Sequence, residues 1–221
     1  MRLSSLSSVT AFRNLFLASA LLIPMSGLAD TITVVSNGFS ASPFGNPHTA
    51  TYGQTFALPG GDGVLNSWTF TLDNVSNPFA MEFMVGTWDT TTNHMTGSAL
   101  YQSPSVDTTT GSANYTFTPN VTLAPGQEYV AFLTVSNSPG AGTASMPLNS
   151  TNAYADGGFF FLNNGTDTSQ WTSTAWDNFT NNDAAFTATF SPSSVPEPGT
   201  LAMFGTGALG LLGAFRRRLA R

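Results

Sequence analysis

The chain has 221 residues, only 8% of them charged, a formal net charge of −6 and no cysteine. A disulfide framework, thiol catalysis and Cys-ligated metal centres are therefore excluded. There is no lysine, and all six cations are arginines at the two ends (Arg2, Arg13, Arg216, Arg217, Arg218 and Arg221), so nothing between Asp30 and Val195 neutralises a phosphate and nucleic-acid binding is disfavoured. All of the 12 acidic residues except Glu197 lie in that stretch, which would tolerate a cation such as Ca²⁺ as a ligand.

The N-terminus predicts an export signal. Arg2 and Arg13 precede an apolar run from Leu15 to Met25, and Gly27-Leu28-Ala29 supplies small residues at the −3 and −1 positions. Residues 1–29 are read as a signal peptide cut between Ala29 and Asp30, by signal peptidase after passage through the Sec translocon. The ectodomain then runs over 30–192, about 165 residues, the size of a single domain that buries a core without staples.

Period-two alternation dominates this domain, and no stretch between 31 and 190 keeps helical apolar spacing. Trp68, Phe70 and Leu72 alternate with threonines. Phe79, Met81, Phe83 and Val85 form another face, as do Tyr129, Ala131, Leu133 and Val135, and finally Phe186, Ala188 and Phe190. About nine strands are predicted: 31–36, 52–58, 64–73, 79–88, 98–103, 113–118, 127–135, 157–163 and 184–191. Turns separate them at Pro59-Gly60-Gly61-Asp62-Gly63, Pro125-Gly126 and Asn163-Asn164-Gly165, and a longer loop runs from Ser138 to about Tyr154. Many short strands between turns predict an all-β antiparallel β-sandwich. A jelly roll is the expected topology, with an immunoglobulin-like sandwich as the alternative.

Candidate chemistry is sparse. No Gly-x-Ser-x-Gly elbow occurs, and the two histidines, His48 after Pro47 and His94 in a Thr/Asn-rich turn, read as solvated loop residues. Glu82 and Glu128 are the glutamates of the domain and would be the pair required by a glycosidase. Asp62, Asp89, Asp156, Asp167, Asp177 and Asp183 lie in or beside predicted loops, where oxygen donors suit Ca²⁺ or serve the turns themselves. Trp88, Trp171 and Trp176 would either stack on sugar faces or cover an end of the sandwich. Asn-x-Ser/Thr acceptor sequences begin at Asn74, Asn120, Asn149, Asn164 and Asn178.

The chain closes on Val195-Pro196-Glu197-Pro198-Gly199-Thr200, an apolar stretch from Leu201 to Phe215, and Arg216-Arg217-Arg218. The 15-residue uncharged stretch spans about 22 Å as a helix, short for a hydrocarbon core of about 30 Å unless flanking arginines snorkel. The arginines stop the predicted membrane helix (about 200–215) on the cytoplasmic side, which puts the β domain outside. These three parts, in this order, resemble the PEP-CTERM sorting tail, assigned here to 193–221 with the motif at 196–198 and the Arg cluster at 216–221.

The resemblance implies an exosortase as partner, processing near Pro196-Glu197-Pro198, transient anchoring in the inner membrane of a Gram-negative bacterium, and delivery to the cell surface or extracellular matrix. The segments around Trp68, Tyr115-Thr116-Phe117 and Phe186 also resemble the β-sandwich ectodomains found ahead of such tails. The expected function is therefore a non-enzymatic structural, adhesive or glycan-binding surface protein, associated with exopolysaccharide and biofilm and lacking a cofactor. The alternative is a secreted carbohydrate-active enzyme such as a glycoside hydrolase.

Overall fold

A computed structural model describes residues 29–60, 62–138 and 140–193. The predicted signal segment 1–28 and the tail from Ser194 onward, with its sorting motif, apolar stretch and arginines, lie outside the described residues. Among the described residues no helix is long and apolar enough to cross a membrane.

The described chain is all β, with one short 3-10 turn at Thr168–Trp171. The strands are β1 (Thr31–Val34), β2 (Phe39–Asn46), β3 (Thr51–Ala57), β4 (Val64–Val75), β5 (Ala80–Asp89), β6 (His94–Gln102), β7 (Val106–Asp107), β8 (Gly111–Phe117), β9 (Val121–Thr122), β10 (Glu128–Thr134), β11 (Gly142–Asn149), β12 (Phe159–Leu162), β13 (Asp177–Asn178), β14 (Asp183–Ala184) and β15 (Phe186–Ser191). They form two sheets in which every strand pairing is antiparallel. The first sheet runs β1-β15-β4-β11-β14, with β8 and β9 also on β4 and β2 on β11. The second runs β13-β12-β3-β10-β5-β6, with β7 on β5.

The alternating residues predicted from sequence face inward. Phe56 of β3 lies 4.9 Å from Trp68 of β4 across the sandwich, and Phe83 of β5 stacks on Phe117 of β8 at 4.6 Å. Trp68 also stacks on Phe186 of the neighbouring strand at 4.5 Å. Each such pair adds about 0.5–1.5 kcal/mol beyond its buried area.

The outer faces differ. That of the first sheet carries a row of threonines, Thr33-Thr187-Thr69-Thr116, in direct cross-strand register, with hydroxyl contacts at 3.4 Å (Thr33–Thr187) and 2.8 Å (Thr69–Thr116). This row meets water through hydroxyls, and Asp73 of β4, paired with Ser112, adds a carboxylate to the same face. The outer face of the second sheet carries an apolar cluster: Met84, Trp88, Met95, Val130, Phe132 and Leu162, closed by Trp171 and Trp176. The segment from Asn163 to Trp176 is a cover strapped over that face, which is why β10 is buried on both sides.

Several expectations need correction. Strands β2 and β11 are not among the predicted strands: Pro43 and Gly45 interrupt the first, and the second lies inside the predicted 138–154 loop. The predicted 184–191 strand breaks at Ala185 into β14 and β15, and the 98–103 strand begins earlier. His94 is therefore the first residue of β6 and not a turn residue; its Nδ1 lies 3.0 Å from the Met95 carbonyl.

Candidate functional site

A hollow of about 700 Å³ is an open groove on the outer face of the second sheet, beside the tryptophan cluster. Its floor comes from strand ends: Thr55 and Ala57 of β3, Glu128 of β10, Trp88 of β5 and Phe160 of β12. Its walls are the loops 152–158 and 178–182. A smaller hollow of about 430 Å³ shares Trp88, Thr90 and Glu128 and continues it toward Asp89 and Gln127.

Local hydrogen bonds fix the walls. Thr55 N donates to the Gly158 carbonyl at 2.9 Å, and Gly158 N donates to Thr55 Oγ1 at 3.0 Å. The loops hold each other through Asn152 N to the Asn181 carbonyl at 2.9 Å, and Phe159 N donates to the Asn182 carbonyl at 2.7 Å. Asn152 and Asn181 have φ of 51° and 61°, a left-handed conformation that asparagine tolerates better than most residues. Gly157 is required by close approach, since a methyl there would collide with the Thr55 carbonyl. Tyr154 pins the first loop: its hydroxyl donates to the Ala57 carbonyl and accepts from Ala57 N, both at 3.2 Å. Burial, then nearby carboxylates, pushes this phenol up to about 12 despite the Ala57 bond, so it stays a donor.

The groove is acidic and amide-rich. Burial raises the Glu128 carboxyl above the ordinary range; the neighbouring Asp156 charge adds to this, and a Thr55 hydrogen bond opposes it. Asn178, Asn181 and Asn182 contribute amides, and the buried Asn182 Oδ1 has no partner among the described residues. Phe179 is 39% exposed at the rim, its ring 5.1 Å from Phe161 and 5.8 Å from Phe159.

Of the residues singled out from sequence, the structure gathers only some here. Glu128, Asp156 and Trp88 line the groove. Glu82 does not: it pairs in register with Thr134, six residues along β10 from Glu128, a separation of roughly 20 Å. That exceeds the 5–9.5 Å range of a glycosidase pair, so this expected pairing is corrected. Glu82 instead accepts from Gln102 Nε2 and Asn137 Nδ2, each at 2.8 Å.

Trp171 and Trp176 are buried and hold the cover down, edge-on to Phe132 at 5.5 and 5.3 Å, so they are not sugar platforms. They cover a sheet face and not a sandwich end. Asp89 and Asp167 serve turns: Asp89 Oδ1 accepts from Thr91 N at 2.8 Å, and Asp167 Oδ1 accepts from Ser169 N at 3.1 Å. These bonds lower both carboxyls. Asp183 is buried and structural. Among the described residues no three His, Asp or Glu side chains converge as a metal site. His48 is exposed beside Pro47.

Asn164, an acceptor-sequence asparagine, is buried with its amide donating to Ser136 Oγ at 2.9 Å and the Asp167 carbonyl at 3.0 Å, which leaves it inaccessible to glycosylation. The groove amides and Phe179 escaped sequence reasoning, because Asn and Thr are spread over the whole domain. Ala29 and Asp30 are exposed ahead of β1. Val195, Pro196, Glu197, Pro198, Gly199, Arg216, Arg217 and Arg218 lie outside the described residues.

Comparison with known proteins adds the address. Residues 194–218 match the PEP-CTERM protein-sorting motif. The chain is thus an all-β ectodomain ahead of a PEP-CTERM tail, and the motif implies an exported surface or extracellular protein handled by an exosortase. No curated protein matches the chain in sequence. Among solved structures it is similar to the cysteine protease and lectin-like domains of Cwp84, a surface layer associated protein of Clostridium difficile, at 14% identity and a TM-score of 0.42. That likeness covers 66% of this chain and 32% of the other, so the chain spans about a third of that protein's length.

Proposed function

We propose that this protein is a non-enzymatic glycan-binding module of the cell surface or exopolysaccharide layer, with the groove between the 152–158 and 178–182 loops as its contact site. The single observation that carries the reading is the groove itself: open, about 700 Å³, lined by amides and threonines with an exposed ring at the rim. Amides bond to sugar hydroxyls in either sense, and an aromatic ring offers an apolar face to a pyranose. The carboxylates of Glu128 and Asp156 favour neutral or amino sugars over acidic ones.

The rest of the proposal concerns delivery and fold. A signal peptide over 1–29 sends the chain through the Sec translocon, a helix over about 200–215 holds it transiently in the inner membrane, and an exosortase cuts near Pro196-Glu197-Pro198. A jelly roll is the topology that goes with it. The order β1-β15-β4-β8 in one sheet and β3-β10-β5-β6 in the other supports this. It is the first-last-third-sixth and second-seventh-fourth-fifth order of an eight-strand roll.

The test is a glycan array and the host's own exopolysaccharide, probed with wild type and Phe179→Ala. The expected outcome is binding that weakens at least tenfold in the variant. A flat array, with intact matrix in a deletion strain, would overturn the glycan reading.

A second reading, a carbohydrate-active enzyme, draws on Glu128 and Asp156 sharing one groove with the Glu128 carboxyl raised, as in an acid paired with a second carboxylate. It requires hydrolysis of a polysaccharide that is lost in Glu128→Gln.

A further inference from the structure

The two ends of the ectodomain meet at one loop. The Asp30 carbonyl accepts from Phe190 N at 2.8 Å, and Gly63 N donates to the Ser191 carbonyl at 3.0 Å. Asp62 directly precedes Gly63 and is only 4% exposed. Its Oδ2 is buried without a hydrogen-bond partner among the described residues. A buried carboxylate oxygen left so is costly, and no lysine or arginine exists between Asp30 and Val195 to answer it. What faces Asp62 is Asp30: its backbone N–H donates to the Asp62 carboxylate while its own carboxylate repels it. Together with burial, which is the larger cause, that repulsion raises the Asp62 carboxyl above its ordinary range.

We propose that the Asp62 carboxylate is the receiving site for the chain's own α-ammonium, so that export processing completes the fold with an ion pair the precursor lacks. The inference rests on cleavage between Ala29 and Asp30. In that step signal peptidase hydrolyses the Ala29–Asp30 amide with one water. Ala29 leaves as a carboxylate with the signal peptide, and the Asp30 nitrogen becomes an amine, which takes up a proton at neutral pH because α-amino groups titrate near 7.7–8.0. One amide donor is thereby replaced by three N–H donors carrying a full positive charge. One of them stays on the bonded oxygen and another is free for Oδ2. The ammonium also stands between the two carboxylates that repelled each other. Charge-assisted bonds of this kind are roughly twice as strong as neutral ones.

The absence of lysine makes the test selective, since the α-amino group is the sole primary amine of the processed chain. The processed protein is recovered after export, its N-terminus is read by mass, and acylation by an amine-selective acetyl ester is timed in buffer and in urea at the same pH. The expected result is an N-terminus at Asp30, an amine that reacts at least tenfold more slowly when folded, and a melting temperature several degrees lower once acetylated. Asp62→Asn should bring the folded rate to within about threefold of the unfolded one. The wild-type rates and the acetylation shift decide the matter even where that variant does not fold. Equal folded and unfolded rates, no change in melting on acetylation, or an N-terminus elsewhere than Asp30 would each overturn the proposal.

Discussion

Gln54 of β3 and Asp183 of β14 join the two sheets inside the core: Gln54 Nε2 donates to Asp183 Oδ1 at 3.0 Å, and both side chains are fully buried. The same amide accepts from Ala184 N at 2.7 Å, and Asp183 Oδ2 accepts from Tyr154 N at 3.0 Å. One polar connection thus ties a strand of each sheet to the loop that walls the groove. Replacing Gln54 by Leu strands a buried carboxylate oxygen and a backbone N–H. The expected loss is about 3 kcal/mol of folding stability, read as a lower urea midpoint with unchanged slope.

Burial raises the Asp183 carboxyl even though hydrogen bonds from Tyr154, Gln54 and Ala153 oppose it. The folded state then holds its proton more tightly than the unfolded state. Its stabilising contribution is complete below the ordinary carboxylate pKa of about 4 and is lost as pH rises through the raised folded value. Glu128 acts in the same direction. The melting temperature of Glu128→Gln, followed from pH 4 to 7, is expected to fall less with rising pH than that of wild type. A parallel profile would contradict the shift.

Trp176 holds the cover on the outer face. Its Nε1 donates to the Trp171 carbonyl at 3.1 Å, and its ring lies edge-on to Trp88 at 5.4 Å. Trp176→Ala should cost about 3–5 kcal/mol by opening a cavity against β5 and β10. Near-UV circular dichroism and urea denaturation would register it. In wild type, a bound glycan should leave the emission of Trp171 and Trp176 unchanged, since neither ring is offered to solvent.

Gly157 lets the 152–158 loop lie against β3. Gly157→Ala pushes a methyl into the Thr55 carbonyl, and the expected cost is about 1–3 kcal/mol. Because the displaced loop carries Asp156, glycan affinity should fall together with stability. Unchanged binding with lowered stability would place the contact site elsewhere.

Much of the sandwich was legible because a strand with one face in the core must alternate, and Trp68-Phe70-Leu72 and Phe186-Ala188-Phe190 do so without interruption. β2 and β11 were not legible. Prolines and glycines break their pattern, and what makes them strands is pairing: β2 with β11, through the register from Gly142↔Asn46 to Leu148↔Phe39, and β11 also with β4 and β14. The groove was legible only in Glu128, Asp156 and Trp88, each noticed for its type and not for its neighbours.

The sequence by itself determined the all-β class, the absence of any internal cation and the sorting motif at the C-terminus. These are properties of composition, local period and contiguous residues, and they do not depend on how the chain meets itself. The tertiary structure decided what each polar or aromatic residue is for. It buried Trp171 and Trp176 against Phe132, spent Asp89 and Asp167 on turns, separated Glu82 from Glu128, and brought Asp62 to Asp30. Those outcomes turn on contacts between residues far apart in the chain, and a side chain's chemistry follows from the water and partners such contacts leave it.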